Sequence, residues 1–459
     1  MEPTEQKVTT KKSNLRLPLT IGCLLTGVPL VVLLALAYPR VAEFIRLLRR
    51  PELKAPVVKM PSPNAYDFYV RAAKLARDSE KISDATANPR TSSLGAPSSQ
   101  STPHVYVLAE KATLVKRNEH ALRELRRGFA YPCVCPPFRS MTDKMQYPSK
   151  IRTPARLLAL EAQLKAAHGD WAGSMESCLD GLRLGEDVPT GGALIPRLVG
   201  IALQAIGRRE AWNAVDHLTA GQALAAAHRL EGILEVHAPF SDTLQEEKYY
   251  SQAALMQMLE GKGPLHGSDK DIDRALAKCP GFLKRMAVNR YCERMDEYIV
   301  SSRKPYAARP RVTADQRRAM NPLTVLPDAL SWILLPVFDK AGCVDTRNEA
   351  QNKMLLAALA LRSYRLEHFA YPESLSHLTP VYLKKLPDDP FALKGTFHYK
   401  RNGAKYLLYS LGPDCKDDGG KPIDNLRGNA KLRGVPTARE RYNAQPGSKG
   451  DIVLGVNTF

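Results

Sequence analysis

The feature that most constrains this chain is a C-terminal stretch in which a long apolar helix precedes a short β-hairpin. Apolar side chains recur at helical spacing through residues 349–368, and Pro372 ends the pattern because the residue before a proline is pushed out of the α region. Two short segments rich in β-branched and aromatic residues follow at 396–401 and 406–411, and an Asn-Gly dipeptide at 402–403 separates them. Asn-Gly is a strong hairpin signal. The sequence therefore predicts one helix packed on a small antiparallel sheet.

The order of motifs in this stretch resembles the globular part of the major pseudopilin of type II secretion systems. The motifs after the helix are Y-P-E-S-L at 371–375, P-D-D-P-F at 387–391, Y-L-L-Y-S-L-G-P-D at 406–414 and D-D-G-G at 417–420. The resemblance covers about 75 of 459 residues and implies a pseudopilin-like α+β unit. In that family an apolar helix is fused directly to this unit, whereas here about 300 residues intervene. The chain is therefore not expected to be a conventional filament subunit.

The resemblance also implies a calcium-binding loop after the last strands. Carried over residue by residue, it assigns calcium as the cofactor and these metal ligands: Asp414, Asp417, Asp418 and Asp424. Calcium takes six to eight oxygen ligands, and the two glycines after Asp418 would let the backbone turn its carbonyls inward. The alternative is a solvated acidic turn, since turns are commonly rich in Asp and Gly.

A second constraint lies near the start of the chain, where the run from Leu17 to Pro39 carries no charged side chain and is long enough to span a bilayer. A cleaved signal peptide would have a shorter apolar core, and a lipoprotein signal would place Cys23 after the core. An uncleaved signal anchor fits best. Basic residues flank the run almost equally, so the positive-inside rule decides little. The resemblance to an exported unit favours an inner-membrane protein with its body outside the cytoplasm.

The residues between these two features have a helical pattern almost throughout. The G-D-W turn at 169–171, with the small residues Ser174, Cys178 and Gly181, resembles the second half of a tetratricopeptide repeat. No 34-residue recurrence accompanies it, so one tetratricopeptide-like hairpin is predicted rather than an array.

The predicted fold class is mostly α, with an N-terminal transmembrane helix, a helical body and a small C-terminal α+β unit. The expected organisation is a cytoplasmic tail at 1–16, a transmembrane anchor at 17–39, a helical body at 40–302 with a mobile Ser/Thr/Pro-rich loop at 84–104, a basic linker at 303–323, the pseudopilin-like unit at 324–425 and a basic C-terminal tail at 426–459.

The formal net charge of +19 favours anionic partners such as lipid head groups or an anionic cell-surface polymer. The basic residues are spread along the chain and no nucleic-acid-binding motif is present, so no specific nucleic-acid recognition is expected. The eight cysteines form no CxxC pair and no zinc pattern. They are expected to be mostly small buried side chains, with one disulfide if the body faces an oxidising compartment.

No catalytic motif accompanies these features: G-x-S-x-G, the P-loop, G-x-G-x-x-G and H-E-x-x-H are all absent from the sequence. Glu231 and Glu235 lie one helical turn apart and could form half of a carboxylate site, or more commonly a solvated helix face. The sequence therefore favours a non-catalytic envelope scaffold or interaction protein with envelope protein partners, associated with a secretion or pilus-like apparatus. The alternatives are a membrane-anchored enzyme with a pocket in the helical body, and a binder of anionic cell-surface polymer.

Overall fold

A computed structural model of the protein describes residues 41–42, 45–49, 55–86, 106–140, 150–259, 280–310, 325–425 and 441–458. The predicted tail at 1–16 and anchor at 17–39 lie outside these residues, as do residues 87–104 of the predicted loop and 311–323 of the predicted linker. Among the helices that are described, none is long and apolar enough to cross a membrane.

The fold is mostly helical with one small sheet, which confirms the predicted class at that level. The helices are α1 Ala65–Leu75, α2 Ser79–Thr86, α3 Leu108–Arg117, α4 Glu119–Gly128, α5 Arg152–Ala167, α6 Trp171–Asp187, α7 Leu194–Val215, α8 Ala220–Glu235, α9 Phe240–Leu259, α10 Gly281–Ser302 and α11 Val325–His368. The strands are β1 His398–Asn402, β2 Lys405–Ser410 and β3 Ile452–Val453.

The sheet is antiparallel in the order β1-β2-β3. Asn402 pairs with Lys405, so the turn of the predicted hairpin is Gly403-Ala404, one residue later than the Asn-Gly dipeptide suggests. Gly403 adopts a φ of +57°, a left-handed conformation that glycine reaches without a steric penalty. Strand β3 comes from the segment expected to be a basic tail. Residues 441–458 are instead part of the folded C-terminal unit, and both residues of β3 are buried.

Helices α5 and α6 form the helical hairpin that the sequence predicts. Gly169 has a φ of +80°, which allows the chain to reverse, and the Asp170 side chain accepts the backbone N–H of Gly173 at 2.8 Å to cap α6. Ser174 and Cys178 are buried, as expected for the small residues of such a hairpin. The closer likeness to a tetratricopeptide repeat stays a prediction.

Helices α6 and α7 approach each other closely where glycines face one another. A Cβ atom built on Gly200 would lie 2.5 Å from the carbonyl oxygen of Gly185 and 2.9 Å from the ring of Pro189. Gly181 and Gly207 face each other further along the same pair of helices, about two helical turns from Gly200. Glycine therefore sets the spacing of these two helices, because any side chain at Gly200 would push their backbones apart.

Helix α11 joins the helical body to the C-terminal unit. It begins well before the predicted start near residue 349 and continues through Pro336. One core cluster contains Leu179 of α6, Leu230 of α8, Leu359 of α11, and Phe397 and Leu408 of the sheet region. Leu359 thus belongs to the same core as the hairpin residues, in line with the predicted packing of the helix on the sheet. The body and the C-terminal unit share a core rather than forming separate modules.

The helix crossing gives the first prediction. Gly200→Ala should destabilise the protein by about 1–3 kcal/mol, because overpacking at a backbone contact outweighs the gain in helix propensity of about 1 kcal/mol. The measurement is urea unfolding followed by circular dichroism. The matched control is Gly232→Ala in α8, where the new Cβ would meet no heavy atom within 4 Å. The control should be neutral or stabilising, and equal stabilisation by both changes would show that the helices do not touch at Gly200.

Candidate functional site

The acidic turn predicted to bind calcium is held together by hydrogen bonds within the protein. Asp417 Oδ1 accepts the hydroxyl of Tyr409 at 3.0 Å and the backbone N–H of Gly419 at 2.8 Å, and its Oδ2 lies 3.4 Å from Nδ1 of His398. The N–H of Gly419 lowers the pKa of Asp417. Through these contacts Asp417 links β1 and β2 to the turn.

The residue that organises the turn most completely is Asp451, which the sequence analysis missed. Asp451 is fully buried, and its two carboxylate oxygens accept the backbone N–H groups of Asp418 at 3.3 Å and Gly420 at 2.7 Å. It precedes β3, about 30 residues beyond the turn, so no local motif connects the two. Two N–H groups directed at one carboxylate are the arrangement that binds an anion, whereas calcium attracts carbonyl oxygens.

The four proposed calcium ligands do not converge in the described structure. Asp414 accepts the N–H of Lys416 at 3.4 Å in a local turn, and Asp418 contributes its N–H to Asp451. Asp424 pairs with Arg441 at 2.8 Å, and its side chain is 7% exposed. Among the described residues, no group of three or more His, Cys, Asp or Glu side chains is placed to hold a metal ion. The residues as arranged do not fit a calcium shell, and the site stays a prediction.

A melting experiment decides the calcium prediction. If calcium binds the folded turn, the melting temperature of the full chain should rise with free calcium, and magnesium should substitute poorly because it requires a tighter octahedron. Asp414→Ala should abolish the rise. Identical melting curves in calcium and in chelator would exclude the site.

The environment of Asp451 generates a prediction about pH. Burial raises the pKa of Asp451 to about 6, from an ordinary value of 3.8, with the N–H donors of Gly420 and Asp418 opposing the rise. The folded state therefore holds this proton more tightly than the unfolded state. The stability from Asp451 is complete below the unfolded pKa and is lost as pH rises through the folded pKa of about 6.

Asp451→Asn, which cannot ionise, should therefore gain stability relative to wild type as pH rises from about 4 to about 7. The measurement is the free energy of unfolding of both proteins across that range. Asp388→Asn, at an exposed aspartate in the same unit, is the control and should run parallel to wild type. A constant difference between Asp451→Asn and wild type would show that the pKa of Asp451 is not raised.

A second polar assembly crosses the helical body from α6 to α11. Glu186 Oε2 lies 2.8 Å from Nδ1 of His237, whose Nε2 lies 2.8 Å from Nη2 of Arg197. Nε of Arg197 then donates to Oδ1 of Asp345 at 2.5 Å, and both side chains of this pair are less than a tenth exposed. Four titratable groups from four parts of the chain thus form one buried relay.

The ring of His237 is neutral in this geometry. Burial lowers the pKa of His237, and the Glu186 carboxylate outweighs burial so that the net shift is upward. Arginine can only donate, however, so the contact from Arg197 is a hydrogen bond only to an unprotonated Nε2. We therefore assign a neutral imidazole that donates Nδ1–H to Glu186 and accepts from Arg197.

Arg208 lies three helical turns beyond Arg197 on α7. It is buried among uncharged amide side chains of α11. Its Nη1 donates to Asn348 at 2.8 Å and Asn352 at 2.5 Å, and its Nη2 donates to Gln351 at 2.7 Å. Gln204 accepts the amide groups of Asn348 and Asn352, which fixes their orientation. Burial, with the nearby charge of Arg347, lowers the pKa of Arg208 to about 9.

Glu231 and Glu235 do not form a carboxylate site. Glu231 Oε1 accepts the backbone N–H of Lys384 at 3.0 Å, and Glu235 pairs with Nζ of the same lysine at 2.7 Å. Glu231 is also buried, so the pair is not the solvated face that its spacing most often indicates. Both carboxylates instead fasten the C-terminal unit to α8.

A cavity of about 440 Å³ opens beside one end of the buried relay. Its walls come from the end of α6, from α8 and from residues 131–133. Its volume lies in the range of small-molecule sites, about 300–1,000 Å³. Glu186 lines the cavity, and its Oε1 is buried and has no hydrogen-bond partner within the described part of the chain. The cavity and this oxygen are the strongest indication of a binding site in the helical body.

Comparisons with protein-family models, with curated proteins and with solved structures found no match to this chain.

Proposed function

We propose that this protein is a membrane-anchored, non-catalytic interaction protein of the cell envelope, associated with a secretion or pilus-like apparatus. The run from Leu17 to Pro39 anchors it in the inner membrane, and the helical body and C-terminal unit lie outside the cytoplasm. The uncharged run and the pseudopilin-like order of motifs support this proposal.

An exposed aromatic residue at the end of α11 is the observation that carries the interaction role. Phe369 follows the last residue of α11, is 93% exposed and has a φ of +56°. A bulky residue in the left-handed region is strained by about 1–2 kcal/mol, and glycine usually occupies this position after a helix. Strained residues cluster at functional sites. A partner protein that covers Phe369 would account for a phenylalanine here.

The surroundings of Phe369 support an interaction surface that is held rigidly. Nε2 of His368 lies 3.2 Å from the hydroxyl of Tyr382. Phe369, which follows His368, and Val381, which precedes Tyr382, therefore lie at the same end of the unit, and Val381 is 65% exposed. Since α11 is anchored in the shared core, this apolar end is presented in a fixed orientation.

The two alternatives make different demands on the protein. A binder of anionic polymer would rely on the net charge of +19 and would release its partner in high salt. An enzyme would need reactive groups in the cavity beside Glu186 rather than an exposed Phe369.

The topology prediction is that the chain is an uncleaved, single-span protein. A reporter active only outside the cytoplasm, fused after Phe459, should be active, and sequencing of the mature protein should find Met1 or the residue after it. An inactive reporter would overturn the orientation. A mature chain that begins after the apolar run would overturn the anchor.

The interaction prediction concerns Phe369→Gly in the full chain. The variant should be more stable by about 1 kcal/mol, because glycine relieves the left-handed strain. It should nonetheless lose the membrane-extracted complex with partner protein that a native gel detects for wild type. Stability and complex formation should therefore change in opposite directions.

The control for this experiment is Val107→Ala, which shortens a side chain that is 59% exposed on the helical body. It should leave the complex unchanged. A complex that survives Phe369→Gly but dissociates in high salt would replace the proposal with the anionic-polymer alternative. A wild-type protein that runs as a monomer in gentle detergent would contradict the proposal directly.

A further inference from the structure

We propose that the cavity between α6, α8 and residues 131–133 binds an ammonium group carried on a small apolar body. The ligand class is therefore a small organic amine or the free N-terminus of a peptide. This inference goes beyond the proposed interaction role, and it depends on a different part of the molecule.

The anchor of the proposed site is Glu186. Its side chain is only 2% exposed, and Oε2 accepts Nδ1–H of His237 at 2.8 Å. Glu186 lines the cavity, and its Oε1 is also buried and has no hydrogen-bond partner among the residues that the structure describes. A buried carboxylate oxygen without a donor is unfavourable by the full desolvation of that atom. An N–H donor from a ligand in the cavity removes that penalty.

The charge around Glu186 selects a cation. His237 is neutral, so its hydrogen bond leaves the negative charge of Glu186 in place. Arg197 forms its ion pair with Asp345 and donates to His237, and it makes no hydrogen bond to Glu186 in the described structure. An ammonium group supplies both the missing donor and the missing positive charge, and a charge-assisted bond of this kind is about twice as strong as a neutral one.

The arginines that border the cavity already have other partners. Arg183 donates to the carbonyl of Phe129 at 2.7 Å and lies 3.6 Å from Asp187. Arg229 pairs with Glu176 and with Asp180. Neither arginine is hydrogen-bonded to Glu186, so neither fills the place that a ligand ammonium would take.

The walls of the cavity determine the rest of the ligand. Ile233 of α8 and Val236 immediately after it, with Tyr131 and Pro132 on another wall, present apolar surface. A volume of about 440 Å³ holds one branched aliphatic side chain and a short extension rather than a folded partner. A metal ion is a poorer fit, because a cation such as calcium needs several oxygen ligands and Glu186 has one oxygen available.

A wider cavity elsewhere in the protein lacks this combination. It lies between the start of α9, residues 303–309 and residues 388–395, with a volume of about 900 Å³. Its buried carboxylates already have donors: Asp345 has Arg197, and Asp389 has the hydroxyl of Ser410 at 2.7 Å. A ligand that donates a hydrogen bond would therefore gain more binding free energy in the smaller cavity.

The test uses the detergent-purified full chain and four probes. Isoamylamine represents a free amine and leucyl-glycinamide a peptide N-terminus, while isoamyl alcohol and N-acetyl-leucyl-glycinamide are the matched compounds without an ammonium group. At least one of the two amines should raise the melting temperature in proportion to the logarithm of its concentration, and titration calorimetry should give its Kd. The amine that binds identifies the source of the ligand, and the two neutral compounds should have no effect.

Two pairs of variants separate binding from folding. Glu186→Gln keeps the shape of the side chain but removes its charge, and it should weaken amine binding at least about tenfold. The control, Glu231→Gln, alters another buried glutamate that has one unpartnered oxygen but lies outside the cavity, and it should bind as wild type does.

The second pair keeps the test decisive if Glu186→Gln fails to fold. Gly232→Phe on α8 fills the cavity from a position where a Cβ meets nothing within 4 Å, and it should abolish binding. Gly221→Phe, on the same helix with the same free space, is the control and should bind normally. The proposal is overturned if neither amine shifts the melting temperature of wild type, if the neutral compounds act equally, or if Gly232→Phe binds as wild type does.

Discussion

The burial of two arginines between α7 and α11 is the constraint on which the rest of the structure depends. Arg197 and Arg208 are both buried, Arg208 is satisfied by side chains of α11, and Arg197 is satisfied by Asp345 of α11 and by His237. A buried guanidinium without acceptors would destabilise the fold by several kcal/mol. The register of α7 against α11 is therefore fixed, since a slip of one residue would displace all of the α11 acceptors at once. Apolar packing alone would tolerate such a slip more easily.

This fixed register explains why the body and the C-terminal unit behave as one structure. The first part of α11 packs on α10, the middle supplies acceptors to α7, and the last turns pack against the sheet region. Lys384 adds a second attachment through Glu231 and Glu235. The proposed interaction surface at the end of α11 and the proposed ligand cavity beside α6 therefore lie on the same framework, although each would bind a different partner.

Much of the fold follows from local sequence, and much of the site does not. The helical body, the α5–α6 hairpin and the β1–β2 hairpin were all predicted, because periodicity, Gly-Asp turns and Asn-Gly act within a few residues. Asp451 was missed because it acts on a turn about 30 residues away. The relay of Glu186 and Asp345 was missed for the same reason, since its members come from distant helices. One sequence pattern does indicate buried polar contacts on α7. Arg197 and Arg208 lie eleven residues, or three helical turns, apart on one face of that helix.

Helix α11 also has a mechanical consequence. Its 44 residues rise by about 1.5 Å each, so the helix is about 66 Å long and ends immediately before Phe369. A continuous helix is stiff along its axis. A displacement of its first turns must therefore either move the exposed Phe369 or bend the helix. Bending is easiest near Pro336, where the helical ladder lacks one N–H donor. A displacement of the first turns of α11 would therefore be transmitted along the helix to Phe369.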